Sequence, residues 1–164
     1  MQMKMVQAIH QRCHQYNFTI STAESCTSGL IAAALTDTPG SSKTYFGGIN
    51  CYSNFSKTNI VGIQEQTIAD FGAVSKETAE DLAQSTKKLF RTKIAISVTG
   101  IAGPGGGSKL KPVGLVWNCI AFEDKILTWK NIHKGDRSEV RKATVSDVLR
   151  KLYDLLEKNS KQEI

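Results

Sequence analysis

Residues 18–35 read FTISTAESCTSGLIAAAL, a stretch in which a strand pattern changes directly into a helix pattern. FTIST is rich in β-branched and aromatic residues, which predicts a short strand over 18–22. The segment LIAAAL predicts a helix that starts near Thr27 and ends at the turn residues DTPGSS. A strand followed at once by a helix indicates an α/β arrangement, in which such a turn lies in the ligand crevice.

The same alternation continues along the chain and sets the expected architecture. The other predicted elements are a helix over about 3–16, a strand over 47–53 followed by a short helical region, a helix from Ser75 to about 90, strands over 93–100, 113–122 and 125–133, and a helix that begins at Asp136. Alternation in the first half predicts parallel strands, and the late hairpin adds antiparallel ones. We therefore predict a single domain over 1–164 with an α/β fold, a three-layer α/β/α sandwich with a mixed, mostly parallel sheet.

The amino-acid composition is typical of a soluble globular protein. It has 40% hydrophobic and 22% charged residues, without an apolar run of the roughly 20 residues that a membrane span needs. The first residues lack the features of a signal peptide, so we expect a cytoplasmic protein without a membrane partner. The four cysteines form no CxxC pair and are predicted to be buried free thiols. A net charge of +6 suits an anionic small molecule and nucleic acid equally well.

The turn TAESCTSGL, residues 22–30, holds the first candidate chemistry. Ser25 sits at a strand-to-helix turn, where helix N–H groups could stabilise an oxyanion. The alternative is that Ser25 or Thr27 only caps the helix, with Glu24 interacting with the helix dipole. A serine nucleophile needs a base, and the three histidines support no Ser–His–Asp triad. Two of them, His10 and His14, lie one turn apart without the glutamate of HExxH, and we interpret them as facing solvent. A desolvated lysine could act as the base instead.

Three further stretches carry candidate residues, each with a structural alternative. CYSNFSKTN, 51–59, follows a predicted strand and offers Tyr52 and Lys57 to the same crevice. TGIAGPGGGSKLKP, 99–112, follows a buried strand and could cradle a phosphate, although it matches neither a Walker A loop nor GxGxxG and could be a flexible connection. In HKGDRSEVRK, 133–142, Arg137 and Arg141 lie one turn apart and could clamp a phosphate or cover a solvated helix face.

Taken together, TAESCTSG, GSS, YSNFSK, GAVS, SVTGIAGPGGGSKLKPVG and KGDRSEVRK resemble the CinA C-terminal domain family, whose characterised enzymes are nicotinamide mononucleotide deamidases of the PncC type. The likeness extends from about residue 18 to 150. It implies hydrolysis of the carboxamide of nicotinamide mononucleotide to nicotinic acid mononucleotide and ammonia, without a metal or organic cofactor. The chain is similar to the amidase domain alone, so we expect a stand-alone member that acts in pyridine nucleotide salvage.

The resemblance also implies residue roles. Ser25 matches the serine of the family's AES motif and is the expected nucleophile, and Lys57 is the expected base, with Tyr52 beside it to position or relay the proton. N–H groups near Thr27 and Ser28 are expected at the oxyanion. The glycine loop, with Gly103, Gly105 and Gly106, and Arg137 are the candidates for holding the ribose phosphate.

Two departures from the family pattern are visible, and other functions remain open. Ser28 stands where many members have glycine, and Gly105 stands where many have aspartate. The alternatives are a non-catalytic nucleotide-binding or regulatory module and an amidase for a different small amide. We do not expect a nucleic-acid partner, because interleaved basic and aromatic residues are absent. Exposed edge strands and a long last helix are compatible with a homo-oligomer.

Overall fold

The computed structural model describes residues 2–159, and its five strands form one mixed sheet. The strands are β1 (Ile20–Glu24), β2 (Tyr45–Asn50), β3 (Ile94–Gly100), β4 (Leu115–Phe122) and β5 (Lys125–Ile132), in the spatial order β2–β1–β3–β4–β5. β1 pairs in parallel with β2 and with β3, while β4 is antiparallel to both β3 and β5. Four strands therefore run in one direction and β4 alone runs in the other.

Helices cover both faces of this sheet. They are α1 (Gln2–Gln15), α2 (Leu30–Thr36), α3 (Glu65–Phe71), α4 (Lys76–Phe90) and α5 (Arg137–Asn159). The main core joins α1, α2 and α5 to one face, and α4, with α3 packed beside it, covers the other. The three-layer α/β/α prediction is confirmed. The mostly parallel description holds for strand direction, whereas the four pairings divide equally between parallel and antiparallel.

The side chains of strand β3 contact both helical layers. Successive side chains of a strand point to opposite faces. Ile96 belongs to the core under α1, α2 and α5. Its neighbour Ser97 donates a hydrogen bond to the carbonyl of Ala79 in α4, and Thr99 donates to the carbonyl of Ala73 just before that helix. Polar residues are thus tolerated in a fully buried strand because each hydroxyl finds an acceptor.

Three predicted boundaries differ from the structure. α2 begins at Leu30, not near Thr27, because Ser28 and Gly29 have left-handed φ angles of 49° and 91° that interrupt a helix. β2 lies earlier than predicted, over Tyr45–Asn50, since Tyr45 pairs with Ile20 at the start of β1. The short helical region divides into a π-helix over Ser56–Val61 and α3.

The histidine interpretation was wrong for His10. Its side chain is buried, with Nδ1 2.5 Å from the hydroxyl of Thr44 and Nε2 2.7 Å from the carbonyl oxygen of Leu35. It therefore ties α1 to the segments on either side of the 3₁₀ turn at Ser41–Lys43. His14, one turn later, is exposed as predicted.

The four cysteines are all buried free thiols, as predicted. Between residues 2 and 159, no helix has both the length and the apolar character needed to cross a membrane.

Candidate active site

The candidate site lies at one edge of the sheet, where the four codirectional strands end. Ser25 follows β1, and the segment 51–61 with Lys57 follows β2. The glycine loop follows β3, and the start of α5 follows β5. Parallel strands deliver their carboxyl ends to the same edge, so four segments distant in sequence meet there. The prediction that these motifs share one crevice rests on this directionality.

Ser25 and Lys57 form a direct pair at this edge. The Nζ atom of Lys57 lies 3.1 Å from Oγ of Ser25 and donates a second hydrogen bond, of 2.7 Å, to the carbonyl oxygen of Cys51. Lys57 is 2% exposed and Ser25 is 9% exposed. Within residues 2–159, no carboxylate forms a salt bridge with this ammonium group. The serine hydroxyl therefore faces an amine that lacks a counter-ion.

The pKa of Lys57 is lowered from its ordinary value of 10.5 because burial disfavours the charged form. Cys51 and Cys26 act weakly in the opposite sense. The π-helix turns Lys57 inward while its neighbours Phe55 and Ile60 remain exposed. A wide helical turn of this kind is frequent at functional sites. The lysine is thereby shifted toward the neutral amine that a general base requires.

Glu24, which is 1% exposed, holds the turn that carries Ser25. Its Oε2 accepts hydrogen bonds from the N–H groups of Gly29 and Ile31, at 3.0 and 3.1 Å. Its Oε1 accepts one from Ala32 at 2.8 Å. The side chains of the alternative cap residues, Ser25 and Thr27, donate or accept no hydrogen bond at the start of α2. The carboxylate of Glu24 caps it instead, which leaves the hydroxyl of Ser25 to Lys57.

The backbone donors around the serine differ in part from the expectation. The N–H of Ser28 donates a 3.1 Å hydrogen bond to the carbonyl of Ser25. Ser28 is therefore not the free oxyanion donor that the resemblance led us to expect. The N–H groups of Cys26 and Thr27 donate to no backbone carbonyl within residues 2–159, although both interact with the sulfur of Cys26. The available donors thus lie one residue earlier along the turn than expected.

Cys26 itself is a poor nucleophile in this setting. Burial raises the pKa of its thiol to about 11, and the N–H groups of Cys26 and Thr27 near the sulfur lower it only in part. A thiol in that state carries little thiolate at neutral pH. The hydroxyl of Ser25, with an amine at 3.1 Å, remains the better-activated group.

Tyr52 and Arg137 form a hydrogen bond with each other, and Tyr52 takes no part in the Ser25–Lys57 contact. The guanidinium of Arg137 donates to the hydroxyl of Tyr52 at 2.6 Å and to the carbonyl oxygen of Gly103 at 3.0 Å. Tyr52 is 56% exposed and, in the described residues, makes no hydrogen bond to Ser25 or Lys57. The arrangement links the glycine loop to the segment after β2, and it does not support Tyr52 as a proton relay in this conformation.

The glycine loop is exposed and open around its centre. Gly103 and Gly106 have φ angles of 83° and 84°, which explains the need for glycine at both positions. Gly105 has open space where a Cβ would lie, so an aspartate could be accommodated there.

Sequence reasoning gave Glu24 only a supporting role at the helix dipole, whereas its carboxylate is the cap itself, and it left the role of Arg141 open. Arg141 donates a 3.0 Å hydrogen bond to the carbonyl oxygen of Thr27. Its spacing from Arg137 was the available signal, because residues four apart lie on one helix face. For Glu24, the signal was a carboxylate placed between a strand end and a helix start.

The architecture defines an α/β protein with a buried serine–lysine pair at the carboxyl edge of its sheet. Residues 2–156 match the CinA C-terminal domain. The chain belongs to this family.

Relatives of known sequence and structure agree with that assignment. The chain is 50% identical over 131 residues to a CinA-like protein of Endomicrobium trichonymphae, covering 80% of this chain and 31% of that protein. It is 41% identical over 140 residues to a CinA-like protein of Petrotoga mobilis, covering 85% and 35%. The chain thus spans about a third of the length of these relatives.

Solved structures show the same fold. The competence/damage inducible protein CihA of Agrobacterium tumefaciens superposes with a TM-score of 0.90 at 39% identity, covering 94% of each chain. A CinA superfamily protein of Klebsiella pneumoniae superposes with a TM-score of 0.91 at 28% identity, covering 96% of this chain and 99% of the other.

Proposed function

We propose that this chain is a nicotinamide-nucleotide amidase, which hydrolyses the carboxamide of nicotinamide mononucleotide to nicotinic acid mononucleotide and ammonia. Ser25 is the nucleophile and Lys57 is the general base. The observation that carries the proposal is the 3.1 Å contact between Ser25 Oγ and Lys57 Nζ, in a site where burial lowers the pKa of the amine.

The proposed reaction begins with neutral Lys57. Its lone pair takes the proton of Ser25, and the serine oxygen bonds to the carboxamide carbon. The tetrahedral intermediate collapses, the carbon–nitrogen bond breaks, and the proton on Lys57 passes to the departing nitrogen as ammonia forms. Water, deprotonated by Lys57, then attacks the ester on Ser25, which releases the carboxylic acid and returns the proton to the serine.

Backbone donors would stabilise the negative charge that develops on the carbonyl oxygen. The N–H groups of Cys26 and Thr27 follow the nucleophile directly and donate to no backbone carbonyl in the part of the chain that the structure describes. Donors that are already positioned need no reorganisation during the reaction, and removing one such donor typically costs about 10²–10³ in kcat. Glu24 supports this arrangement because it fixes the start of α2.

The lysine also has a defined second contact. Its hydrogen bond to the carbonyl of Cys51 uses an N–H of the amine, so the lone pair of the neutral form can face Ser25. Both contacts bring Lys57 to the edge at which β1 and β2 end.

Ammonia release tests the proposal. Wild type is assayed with nicotinamide mononucleotide, nicotinamide riboside and nicotinamide, beside Ser25→Ala, Lys57→Ala and the exposed-lysine control Lys142→Ala. We expect release from the mononucleotide by wild type and the control, and a loss of about 10³-fold or more in both active-site variants.

The same assay separates the alternatives. Equal rates for wild type and Ser25→Ala would remove the serine as nucleophile. Near-normal turnover by Lys57→Ala would remove the lysine as base. No release from any substrate by wild type would favour a non-catalytic nucleotide-binding module. Release from nicotinamide but not from its mononucleotide would favour an amidase for another small amide.

A further inference from the structure

A reciprocal pair of serines closes the backbone turn that precedes Lys57. The hydroxyl of Ser53 accepts the N–H of Ser56 at 3.1 Å, and the hydroxyl of Ser56 accepts the N–H of Ser53 at 3.1 Å. The two hydroxyl oxygens lie 3.2 Å apart, and Ser56 also donates a 2.9 Å hydrogen bond to the carbonyl oxygen of Ser53. This arrangement is a capping box in which a serine stands where glutamate or glutamine is usual.

The backbone of Lys57 is bound both to this serine box and to the far end of the π-helix. Its N–H donates a 3.1 Å hydrogen bond to the carbonyl oxygen of Ser53. Its own carbonyl oxygen accepts the N–H of Gly62 and, at 3.2 Å, the N–H of Ile63. A helical segment of six residues is not stable by itself, so the hydrogen bonds at its two ends determine where it begins.

The position of the backbone is what keeps the amine of Lys57 inside the protein. A lysine on its flexible stem would ordinarily extend into water. Here the side chain is 2% exposed, its two hydrogen-bond partners are neutral, and no ion pair holds it within residues 2–159. Successive residues of a helical turn point in different directions, so a turn that began one residue earlier or later would carry the amine away from Ser25.

Other groups around the amine do not replace the serine box. The titratable groups that act on Lys57 are the thiols of Cys51 and Cys26, and burial raises the pKa of both thiols, so both are protonated at neutral pH. From the other side of the π-helix, α4 contributes to an apolar cluster that includes Leu82 and Val61. Neither a counter-ion nor a second polar anchor is thus available to hold the lysine if the turn shifts.

We propose that Ser53 and Ser56 are positioning residues for the general base, because their reciprocal hydrogen bonds fix the turn that holds the amine of Lys57 against Ser25. This deepens the proposed function and rests on it for the reaction. Neither serine touches the reacting atoms. Their effect on catalysis passes through the direction and the burial of the lysine.

The pH profile of ammonia release tests this role. In Ser53→Ala, we expect kcat/KM for nicotinamide mononucleotide to fall by about 10- to 100-fold, since a small displacement of a catalytic group has effects of this size. The midpoint of the profile should move up toward 10.5, because a lysine that reaches water regains its ordinary pKa. Ser56→Ala should show the same changes in smaller degree, and Ser53→Thr, which keeps the hydroxyl, should restore the wild-type profile.

Ser75→Ala is the matched control, because Ser75 caps α4 by accepting the N–H of Thr78 at 3.1 Å. This variant should lower the melting temperature without moving the midpoint of the pH profile. An ordinary helix cap at Ser53 would give the same result. Ser53→Ala with an unchanged midpoint, or with near-normal kcat/KM, would therefore overturn the positioning role.

Nuclear magnetic resonance of protein labelled with ¹³C at the lysine ε-carbon gives a readout that is independent of the reaction. The signal that disappears in Lys57→Met belongs to Lys57, and its titration should move to higher pH in Ser53→Ala but not in Ser75→Ala. If wild type releases no ammonia and this shift is observed, the proposed function fails while the positioning role stands. A titration that is the same in wild type and Ser53→Ala, or that Ser53→Thr does not restore, would overturn the positioning role.

Discussion

Removing the carboxylate of Glu24 should weaken the whole domain as well as its proposed active site. In Glu24→Ala, the backbone N–H groups of Gly29, Ile31 and Ala32 lose their acceptor, a carboxylate that is 1% exposed. Hydrogen bonds to charged groups contribute about 1.5–3 kcal/mol each, but the net loss is smaller because water can hydrogen-bond to the freed N–H groups. We expect the free energy of unfolding to fall by about 3–5 kcal/mol. Glu24→Gln keeps one oxygen and should cost about 2 kcal/mol.

Urea denaturation followed by circular dichroism and by the fluorescence of Trp117 and Trp129 measures these changes. Glu139→Gln is the matched control, since this exposed glutamate caps α5 through a single backbone N–H and should cost less than about 1 kcal/mol. A cost below about 1 kcal/mol for Glu24→Ala would refute the capping role. Ammonia release should fall together with stability, because the turn that carries Ser25 would no longer be fixed.

Four further predictions concern Lys57, Ser28 and two buried cysteines. Because burial lowers the pKa of Lys57, kcat/KM for ammonia release should rise with pH to a midpoint below 10.5, and a midpoint at or above 10.5 would contradict a desolvated base. The unfolded chain binds the Lys57 proton more tightly, so the free energy of unfolding of wild type relative to Lys57→Met should increase as pH rises toward 10.5, as measured by urea titrations at several pH values. Ser28→Gly should stabilise the protein by about 1 kcal/mol in denaturation, because it relieves a left-handed φ of 49°, and any destabilisation would argue against that strain. Burial raises the pKa of Cys26 to about 11 and that of Cys119 to about 12, so a thiol reagent at pH 8 should label neither cysteine before denaturant is added.

Strand and helix patterns predicted the layers of this fold because each element carries its own periodicity. The strand over 93–100 and the hairpin around Glu123 and Asp124 were predicted nearly at their observed bounds. The start of α2 was predicted too early. Its position depends on the left-handed φ angle of Ser28 and on the carboxylate of Glu24, which accepts hydrogen bonds from the first turn. Serine carries no strong local signal for a positive φ, so the helix pattern alone placed the start too early.

The candidate site was predictable where motifs follow strand ends, and unpredictable where one side chain reaches another. The family resemblance named Ser25 and Lys57, and the structure places their polar atoms 3.1 Å apart. Tyr52, expected beside them, bonds to Arg137 instead. That contact joins residues 85 positions apart, and no pattern within either segment encodes it. The burial of Lys57 depends in the same way on a π-helix that propensity does not reveal.

The reversed direction of β4 has a consequence for how this domain can diversify. Because β4 carries the chain away from the site edge and β5 brings it back, the Glu123–Asp124 turn lies at the opposite end of the sheet. The glycine loop after β3 and the start of α5 can then change in length or composition without moving the two segments that carry Ser25 and Lys57. For the proposed amidase, substrate preference could change in these two segments while the Ser25–Lys57 pair stays fixed. The Glu123–Asp124 turn is therefore a suitable point for fusing a reporter or a partner domain at a distance from the candidate active site.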